Sequence, residues 1–136
     1  MSEYKTTSHC KYLCQYHLIW CPKFRFNVLE NVECNLKQIF QDIAEKYQYE
    51  IIEMEVMPDH VHIFISAKPE FSPVMIIKVL KGVTSLRLFK KYPELKEELW
   101  GGHLWSPSYY VGTAGSISAE TIRKYIQNQK SNSSTL

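Results

Sequence analysis

The 136-residue sequence has no apolar run approaching the roughly 20 residues that a membrane-spanning helix needs. Its first residues lack the basic and then apolar pattern of a secretory signal peptide. Hydrophobic residues make up 45% of the chain and the formal net charge is only +2, which excludes an intrinsically disordered protein. We therefore expect a soluble, cytoplasmic protein with one domain over residues 1–136 and a frayed tail at 131–136.

Paired metal-binding cysteines are also lacking. The four cysteines all lie in the first quarter of the chain: Cys10, Cys14, Cys21 and Cys34. They include no Cys-x-x-Cys pair, so a structural zinc site remains an alternative but is not favoured. A reducing cytoplasm disfavours a disulfide, and buried or incidental thiols are the preferred interpretation.

Acidic residues are absent between Tyr4 and Leu29, where Lys, Arg and His alternate with aromatic residues. Such a segment suits single-stranded nucleic acid, because cations meet phosphates and rings stack on unpaired bases. A half-buried strand with a solvated face has the same pattern, and on charge alone that interpretation is favoured.

Hydrophobic periodicity predicts the element order βαββαβα. Strands are expected at 13–20, 49–57, 60–65 and 108–112, and helices at 31–47, 72–91 and from 118 onward, with a short turn at 94–99. Ser72 and Ser118 are the predicted helix caps, and a flexible connection is expected over 112–116. The order predicts an α+β fold in which helices pack on a mainly antiparallel sheet, in a ferredoxin-like arrangement.

Several apolar and aromatic residues are assigned to the core. The expected core positions of the first helix are Leu36, Ile39, Phe40 and Ile43. In the last third of the chain, Trp105, Tyr109 and Tyr110 are expected in the core rather than as platforms for stacked bases.

Two groups of residues could carry chemistry. His60 and His62 flank Val61 in a strand, so both imidazoles point to one face, where they can bind a divalent cation with Asp59 orienting one ring. A lone His-x-His is commonly only polar surface. Tyr125 and Gln129 share one face of the last helix, but spacing alone cannot select Tyr125 among 9 tyrosines.

Five collinear motifs together resemble the TnpA-type single-tyrosine HUH transposases of the insertion-sequence 200/605 family. These motifs are YHLIWCPKFR (16–25), MPDHVH (57–62), KGVTS (81–85), LWSPSYYVG (104–112) and YIQNQ (125–129). The pattern histidine, hydrophobic, histidine is here His60-Val61-His62. The motifs span nearly the whole chain and are far more specific together than the histidine pair or the tyrosine alone.

The resemblance implies a catalytic role for Tyr125, the nucleophile that cleaves single-stranded DNA and holds the 5′ end as a phosphotyrosine. His60, His62 and Gln129 would bind Mg²⁺ or Mn²⁺. The partners implied are DNA hairpins at transposon ends and a second copy of the chain, in a homodimer whose tyrosine helices can be exchanged. The candidate DNA-binding residues lie in the basic segments and beside the tyrosine: Lys23, Arg25, Lys81, Arg87, Arg123 and Lys124.

Two alternatives remain open at this point. A non-catalytic relative would keep the fold and bind DNA hairpins without cutting, although the intact set of His60, His62, Tyr125 and Gln129 argues against it. An unrelated metal hydrolase that uses the two histidines would keep its activity in Tyr125→Phe, whereas a transposase would lose it.

Overall fold

Six strands, four α-helices and two short 3-10 turns make up the described part of the chain. The structure, a computed structural model, describes residues 4–99, 102–114 and 116–130. In chain order the elements are β1 (Lys5–Thr6), β2 (Lys11–Tyr12), β3 (Gln15–Trp20), 3-10 turns at Lys23–Arg25 and Glu30–Val32, α1 (Glu33–Tyr47), β4 (Glu50–Met57), β5 (His60–Ser66), α2 (Pro73–Lys91), α3 (Glu94–Glu98), β6 (Tyr110–Ala114) and α4 (Ser116–Gln127).

The four longer strands form one sheet in the order β4-β5-β3-β6, and each pairing is antiparallel. The predicted α+β class, with helices packed on a mainly antiparallel sheet, is confirmed. Pro58 and Asp59 form the predicted tight turn between β4 and β5. The separate hairpin of β1 and β2 was not predicted, because two-residue strands are too short to show an alternating pattern. The tail at 131–136 lies outside the described residues.

The main hydrophobic core lies between α1 and α2 and one face of the sheet. The four predicted α1 residues, Leu36, Ile39, Phe40 and Ile43, are all buried in it. They recur at helical spacing, so they form a single apolar stripe on α1. The sheet contributes alternate residues of β3 and β5, including Leu18, Val61 and Ile63.

The start of α2 follows its predicted cap. The Ser72 side-chain oxygen accepts a hydrogen bond from the Met75 backbone N–H at 3.2 Å, and Pro73 occupies the first helical position. Proline is favourable there because the first N–H groups of a helix have no partner within the helix. None of the described helices is long and apolar enough to cross a membrane.

Helix α4 packs on the opposite face of the sheet, where buried apolar contact is scarce. Among the residues that the structure describes, the buried apolar cluster on this face consists of Phe64, Ala114 and Ile126. Polar contacts hold the C-terminal end of the helix instead. Gln127 Nε2 donates a hydrogen bond to Glu53 Oε2 at 2.8 Å.

Lys130, just beyond α4, adds further polar contacts that hold this end of the helix on the rest of the protein. Its Nζ donates to Glu33 Oε1 at 2.7 Å and to the Val56 carbonyl oxygen at 2.9 Å. Partly exposed polar contacts of this kind stabilise a chain segment less than buried apolar contacts do.

The predicted connection over 112–116 is wrong at both of its ends. Gly112 lies inside β6, whose pairing with β3 continues to Ala114 opposite Gln15, and Ser116 already belongs to α4. Ser118 is therefore inside the helix and does not cap it. The glycine suggested a break, but strand pairing to β3 extends past it. Gly115 lies outside the described residues.

The three late aromatic residues differ from one another. Trp105 is buried, as predicted, and its Nε1 donates to Thr84 Oγ1 at 2.9 Å. Tyr109 and Tyr110 are exposed by 37% and 55%, so their assignment to the core is wrong. Both lie where the chain enters the edge strand β6, and their rings face an open cleft rather than a packed layer.

Candidate active site

Strand β5 places His60 and His62 on the face of the sheet that α4 covers. Val61 points to the other face and is fully buried in the main core. The two imidazole centroids are 4.9 Å apart, as alternation along one strand predicts. His62 is 2% exposed, whereas His60 lies at the margin with 19% of its side chain exposed.

Asp59 fixes the ring of His60, as the sequence predicted. Its Oδ1 lies 2.6 Å from His60 Nδ1, and its Oδ2 accepts a hydrogen bond from Arg25 Nε at 2.9 Å. Partial burial raises the pKa of the Asp59 carboxyl, but the hydrogen bonds from His60 and Arg25 outweigh it and the net shift is downward. With Nδ1 engaged by a carboxylate, the lone pair of His60 Nε2 remains available.

An unusual backbone turn brings Arg25 to this place. Phe24 and Arg25 both have positive φ, 58° and 55°, a conformation that side chains other than glycine adopt rarely. The turn is held at its start, where the Lys23 N–H donates to the Leu104 carbonyl oxygen at 2.9 Å. Strain of this kind persists only when surrounding contacts enforce it, and it is often found at functional sites.

Helix α4 and the turn after it bring Tyr125 and Gln129 to the two histidines. The Tyr125 ring is half exposed, and its centroid lies 5.6 Å from that of His62. Gln129 Nε2 donates to the Tyr125 carbonyl oxygen at 3.2 Å. The four residues that the resemblance implied therefore converge in one place, although they come from two elements separated by more than 60 positions.

Burial keeps the imidazole of His62 neutral. The pKa of His62 is lowered to about 4, chiefly by burial and also by the neighbouring His60 and His17, while a hydrogen bond with Gln129 opposes the shift. At neutral pH the ring therefore has one nitrogen lone pair to offer. A neutral imidazole is the form that binds metal ions.

The donor set fits a divalent cation. His60 and His62 offer imidazole nitrogens, and Gln129 can offer an amide oxygen. Within residues 4–99, 102–114 and 116–130, no group of three His, Cys, Asp or Glu residues is arranged to hold a metal ion, and Gln129 is the amide that lines the cleft with the two histidines. Three neutral ligands would leave positions open for phosphate oxygens, and two imidazoles suit Mn²⁺ better than Mg²⁺.

These side chains line a cleft of about 560 Å³. Its walls include Arg25, His60, His62, Tyr109, Tyr125 and Gln129. A groove of about 530 Å³ adjoins it along α2, and Tyr109 lines both. Lys23, Lys78 and Lys81 lie along this groove.

The predicted DNA-binding residues occupy different environments. Arg25 faces the cleft and Lys23 the groove, but Lys81 is committed to the protein: its Nζ donates to the carbonyl oxygens of Ser106 and Ser108 at 2.8 and 3.0 Å. Burial lowers the pKa of Lys81.

The remaining three predicted cations lie elsewhere. Arg87 pairs with Asp42 of α1 at 3.0 Å, away from the cleft. Arg123 pairs with Glu120 within α4 at 3.3 Å, and Lys124 is exposed on the same helix. The structure therefore places Lys23 and Arg25 beside the candidate site and does not bring Arg87, Arg123 or Lys124 into the described lining of the cleft.

Sequence reasoning gave no role to His17, a third histidine of the site, which is buried like His62. It lies on β3, and its Nε2 is 3.3 Å from His62 Nδ1. Strand pairing places Ile19 opposite His62, so His17 stands two residues away on the same face. The signal was the alternation of β3, which assigns His17 to the face opposite Leu18, but the register of β3 against β5 cannot be read from sequence.

Comparison with known proteins identifies the family. The family described as Transposase IS200 like matches residues 10–129 of the chain. The chain belongs to the IS200-like transposase family. This confirms the resemblance drawn from the five motifs.

Two relatives illustrate how far the IS200-like family extends. The chain is 49% identical over 119 residues to the ISDra2 transposase TnpA of Deinococcus radiodurans, which covers 87% of this chain and 85% of the relative. It is 29% identical over 130 residues to the transposase for insertion sequence element IS200 of Salmonella typhimurium, covering 95% and 85% respectively.

Solved structures of similar fold include two transposases. A candidate transposase from Deinococcus radiodurans R1 superposes with a TM-score of 0.76 at 41% identity, covering 92% of this chain and 97% of that one. A REP-associated tyrosine transposase bound to a REP hairpin has a TM-score of 0.64 at 14% identity, covering 97% of this chain and 74% of that one. At that identity the second match concerns the fold alone.

Proposed function

We propose that this IS200-like transposase cleaves and rejoins single-stranded DNA at hairpin-marked transposon ends, through a 5′-phosphotyrosine on Tyr125 assisted by Mg²⁺ or Mn²⁺. The observation that carries the proposal is the placement of the Tyr125 ring 5.6 Å from His62, in one open cleft with His60 and Gln129. An accessible hydroxyl beside a set of neutral ligands is the arrangement that a nucleophile and a cation-bound phosphate require.

In the cleavage step, the Tyr125 hydroxyl oxygen forms a bond to phosphorus while the bond from phosphorus to the 3′ oxygen breaks. The tyrosine proton is released, and the 3′ oxygen takes up a proton and leaves as a hydroxyl. A 3′ hydroxyl can later attack the same phosphorus and restore the tyrosine, so rejoining needs no ATP. A divalent cation held by His60, His62 and Gln129 would stabilise charge on the phosphoryl oxygens.

We propose that the DNA lies along the groove of α2 and enters the cleft past Tyr109. Lys23 and Lys78 line the groove and Arg25 lines the cleft, so the cations mark a path for phosphates toward Tyr125. The exposed ring of Tyr109 between the two spaces can stack on an unpaired base. Hairpin DNA as the substrate is supported by the REP hairpin bound to the transposase of similar fold.

The proposal includes a ferredoxin-like arrangement of β3, α1, β4, β5, α2 and β6, and a homodimer. Two transposon ends need two nucleophiles, and each chain supplies one Tyr125. Strand β6 is at the edge of the sheet, and its exposed Tyr110 and Val111 suit pairing with a second chain.

A denaturing gel tests the proposal. Hairpin-forming, single-stranded oligonucleotides from the DNA that flanks the gene are mixed with wild type, Tyr125→Phe and His62→Ala, with and without Mn²⁺. We expect a metal-dependent protein–DNA adduct that survives denaturation in wild type and is lost in both variants. Binding without any adduct would favour the non-catalytic alternative, and cleavage that survives in Tyr125→Phe would favour the metal hydrolase.

A further inference from the structure

We propose that His17 is a positioning residue, which holds His62 in the tautomer whose Nε2 lone pair faces the cleft. The proposal rests on the proposed function, because it concerns how one candidate metal ligand is oriented. His17 lies in the first motif, YHLIWCPKFR, but outside the histidine pair of β5, and the family resemblance gave it no role.

The contact between the two rings is direct and buried. His17 Nε2 lies 3.3 Å from His62 Nδ1, and the ring centroids are 5.5 Å apart with 25° between the planes. His17 is 7% exposed and His62 is 2% exposed. Because this contact holds His62 Nδ1 against His17, the His62 ring cannot rotate freely away from the cleft.

The tautomer of His62 follows from the number of N–H hydrogens that the two rings carry. Each neutral imidazole carries one N–H, so each ring has one donor and one acceptor nitrogen, and the 3.3 Å contact pairs one nitrogen from each ring. If His62 Nε2 offers its lone pair to a cation, the hydrogen of His62 must be on Nδ1. His62 Nδ1–H then donates to His17 Nε2, and the hydrogen of His17 is on its own Nδ1.

The N–H of His17 Nδ1 also needs a hydrogen-bond acceptor. His17 lines a pocket of about 370 Å³ between β6 and α4, which is large enough to admit water as an acceptor.

The two histidines of β5 would thus be oriented by different acceptors. His60, at the margin, uses the carboxylate of Asp59 at 2.6 Å. His62 is almost completely buried, and a carboxylate beside it would bury a charge, whereas a neutral imidazole supplies an acceptor without that cost. Histidine at position 17 therefore fits the buried member of the pair.

The surrounding rings hold His17 in place. Tyr110 and Tyr125 contact it edge-on, with centroid distances of 5.8 and 6.0 Å. Gly112, opposite His17 in the sheet, makes room for this packing: a Cβ there would be 2.6 Å from the Tyr110 hydroxyl oxygen.

Two substitutions of His17, by side chains of similar length, distinguish its role in hydrogen bonding from its role in packing. His17→Gln keeps an acceptor near the position of Nε2, and His17→Met fills similar space without one. Mn²⁺ is titrated into each protein, and the free ion is measured by electron paramagnetic resonance. We expect His17→Met to weaken Mn²⁺ binding about tenfold to a hundredfold and His17→Gln to weaken it by less than about threefold.

A second measurement uses wild type alone, so that it does not depend on the folding of a variant. In ¹⁵N-labelled protein saturated with Mg²⁺, long-range ¹H–¹⁵N spectra show which nitrogen of each histidine carries hydrogen. We expect the hydrogen of His62 on Nδ1. A hydrogen on His62 Nε2, or equal Mn²⁺ affinity in His17→Met and wild type, would overturn the proposal, and so would equal weakening by Gln and Met.

His62→Ala distinguishes the failure of this proposal from that of the proposed function. If His62→Ala binds Mn²⁺ as tightly as wild type, the metal site itself is wrong and the role of His17 falls with it. If His62→Ala loses binding but His17→Met does not, only the role of His17 is wrong.

Discussion

The two faces of the sheet are built differently. The face beneath α1 and α2 is covered by a large, continuous set of buried apolar side chains, whereas the described residues beneath α4 form a small buried cluster of Phe64, Ala114 and Ile126 beside three clustered histidines. Because β5 alternates, Val61 and Ile63 serve the first face while His60 and His62 serve the second. One strand therefore contributes to stability on one side and to the candidate chemistry on the other.

The largest expected effect on activity with little effect on stability is at Tyr125, on the α4 face. Its ring is half exposed, so Tyr125→Phe removes one hydroxyl and little packing. We expect the cleavage rate to fall by about 10³-fold or more, since loss of a nucleophile removes the covalent step, while the melting temperature stays close to that of wild type. Single-turnover cleavage and thermal melts measure the two effects. A large fall in melting temperature would show that Tyr125 also supports the fold.

The opposite result is expected in the main core. Phe40 is fully buried against Trp20, with ring centroids 5.8 Å apart. Phe40→Ala should lower the free energy of unfolding by about 3–5 kcal/mol through lost burial and a cavity. Urea denaturation measures this change. The cleavage rate per folded molecule should remain within about twofold at low temperature, and a selective loss of rate would contradict the division between faces.

Acid should destabilise the histidine face before the carboxyl groups titrate. The pKa of His62 is lowered to about 4 in the folded state from 6.5, so the unfolded state binds more protons between these values. The corresponding stability is complete above about pH 6.5 and is lost as the pH falls toward 4, an effect of at most about 3 kcal/mol.

Urea denaturation at several pH values checks this prediction. His62→Gln should flatten the dependence between pH 6.5 and 4. His9→Gln changes an exposed histidine and serves as the control. An unchanged slope in His62→Gln would mean that other groups cause the acid effect.

The smallest effect is expected at the margin of the site. Arg25 faces the cleft and donates to Asp59, whereas Arg87 pairs with Asp42 on another surface. Arg25→Ala should weaken binding of single-stranded DNA about tenfold, from the loss of one phosphate contact and of support for Asp59. Arg87→Ala should leave it nearly unchanged. Fluorescence anisotropy with a labelled oligonucleotide compares the two variants, and equal weakening would point to a broader DNA surface.

Local signals predicted much of the fold. The β4–β5 hairpin follows from a turn between two apolar runs, the start of α2 from Ser72 and Pro73, and the shared face of His60 and His62 from strand alternation. Each of these depends on residues close together in the chain. The convergence of the histidines with Tyr125 and Gln129 depends on tertiary packing and was expected only through the family resemblance.

Features that depend on distant contacts were missed or wrong. The contact between His17 and His62 depends on the register of β3 against β5, and the exposure of Tyr109 and Tyr110 depends on the open cleft beside them. The positive φ angles of Phe24 and Arg25 have no local signal, because these residue types ordinarily avoid that conformation. The extension of β6 past Gly112 is likewise decided by its pairing with β3.

Because Lys130 holds the end of α4 through polar contacts, the position of this helix should depend on ionic strength. Its contacts with Glu33 and Val56 lie beside a partly exposed network of charges, which dissolved salt screens. Salt also weakens attraction of the kind proposed between DNA phosphates and the cations of the groove. Salt would thus weaken both the contacts of the helix that carries Tyr125 and the proposed contacts with DNA. Cleavage should therefore decline more steeply with added salt than DNA binding alone.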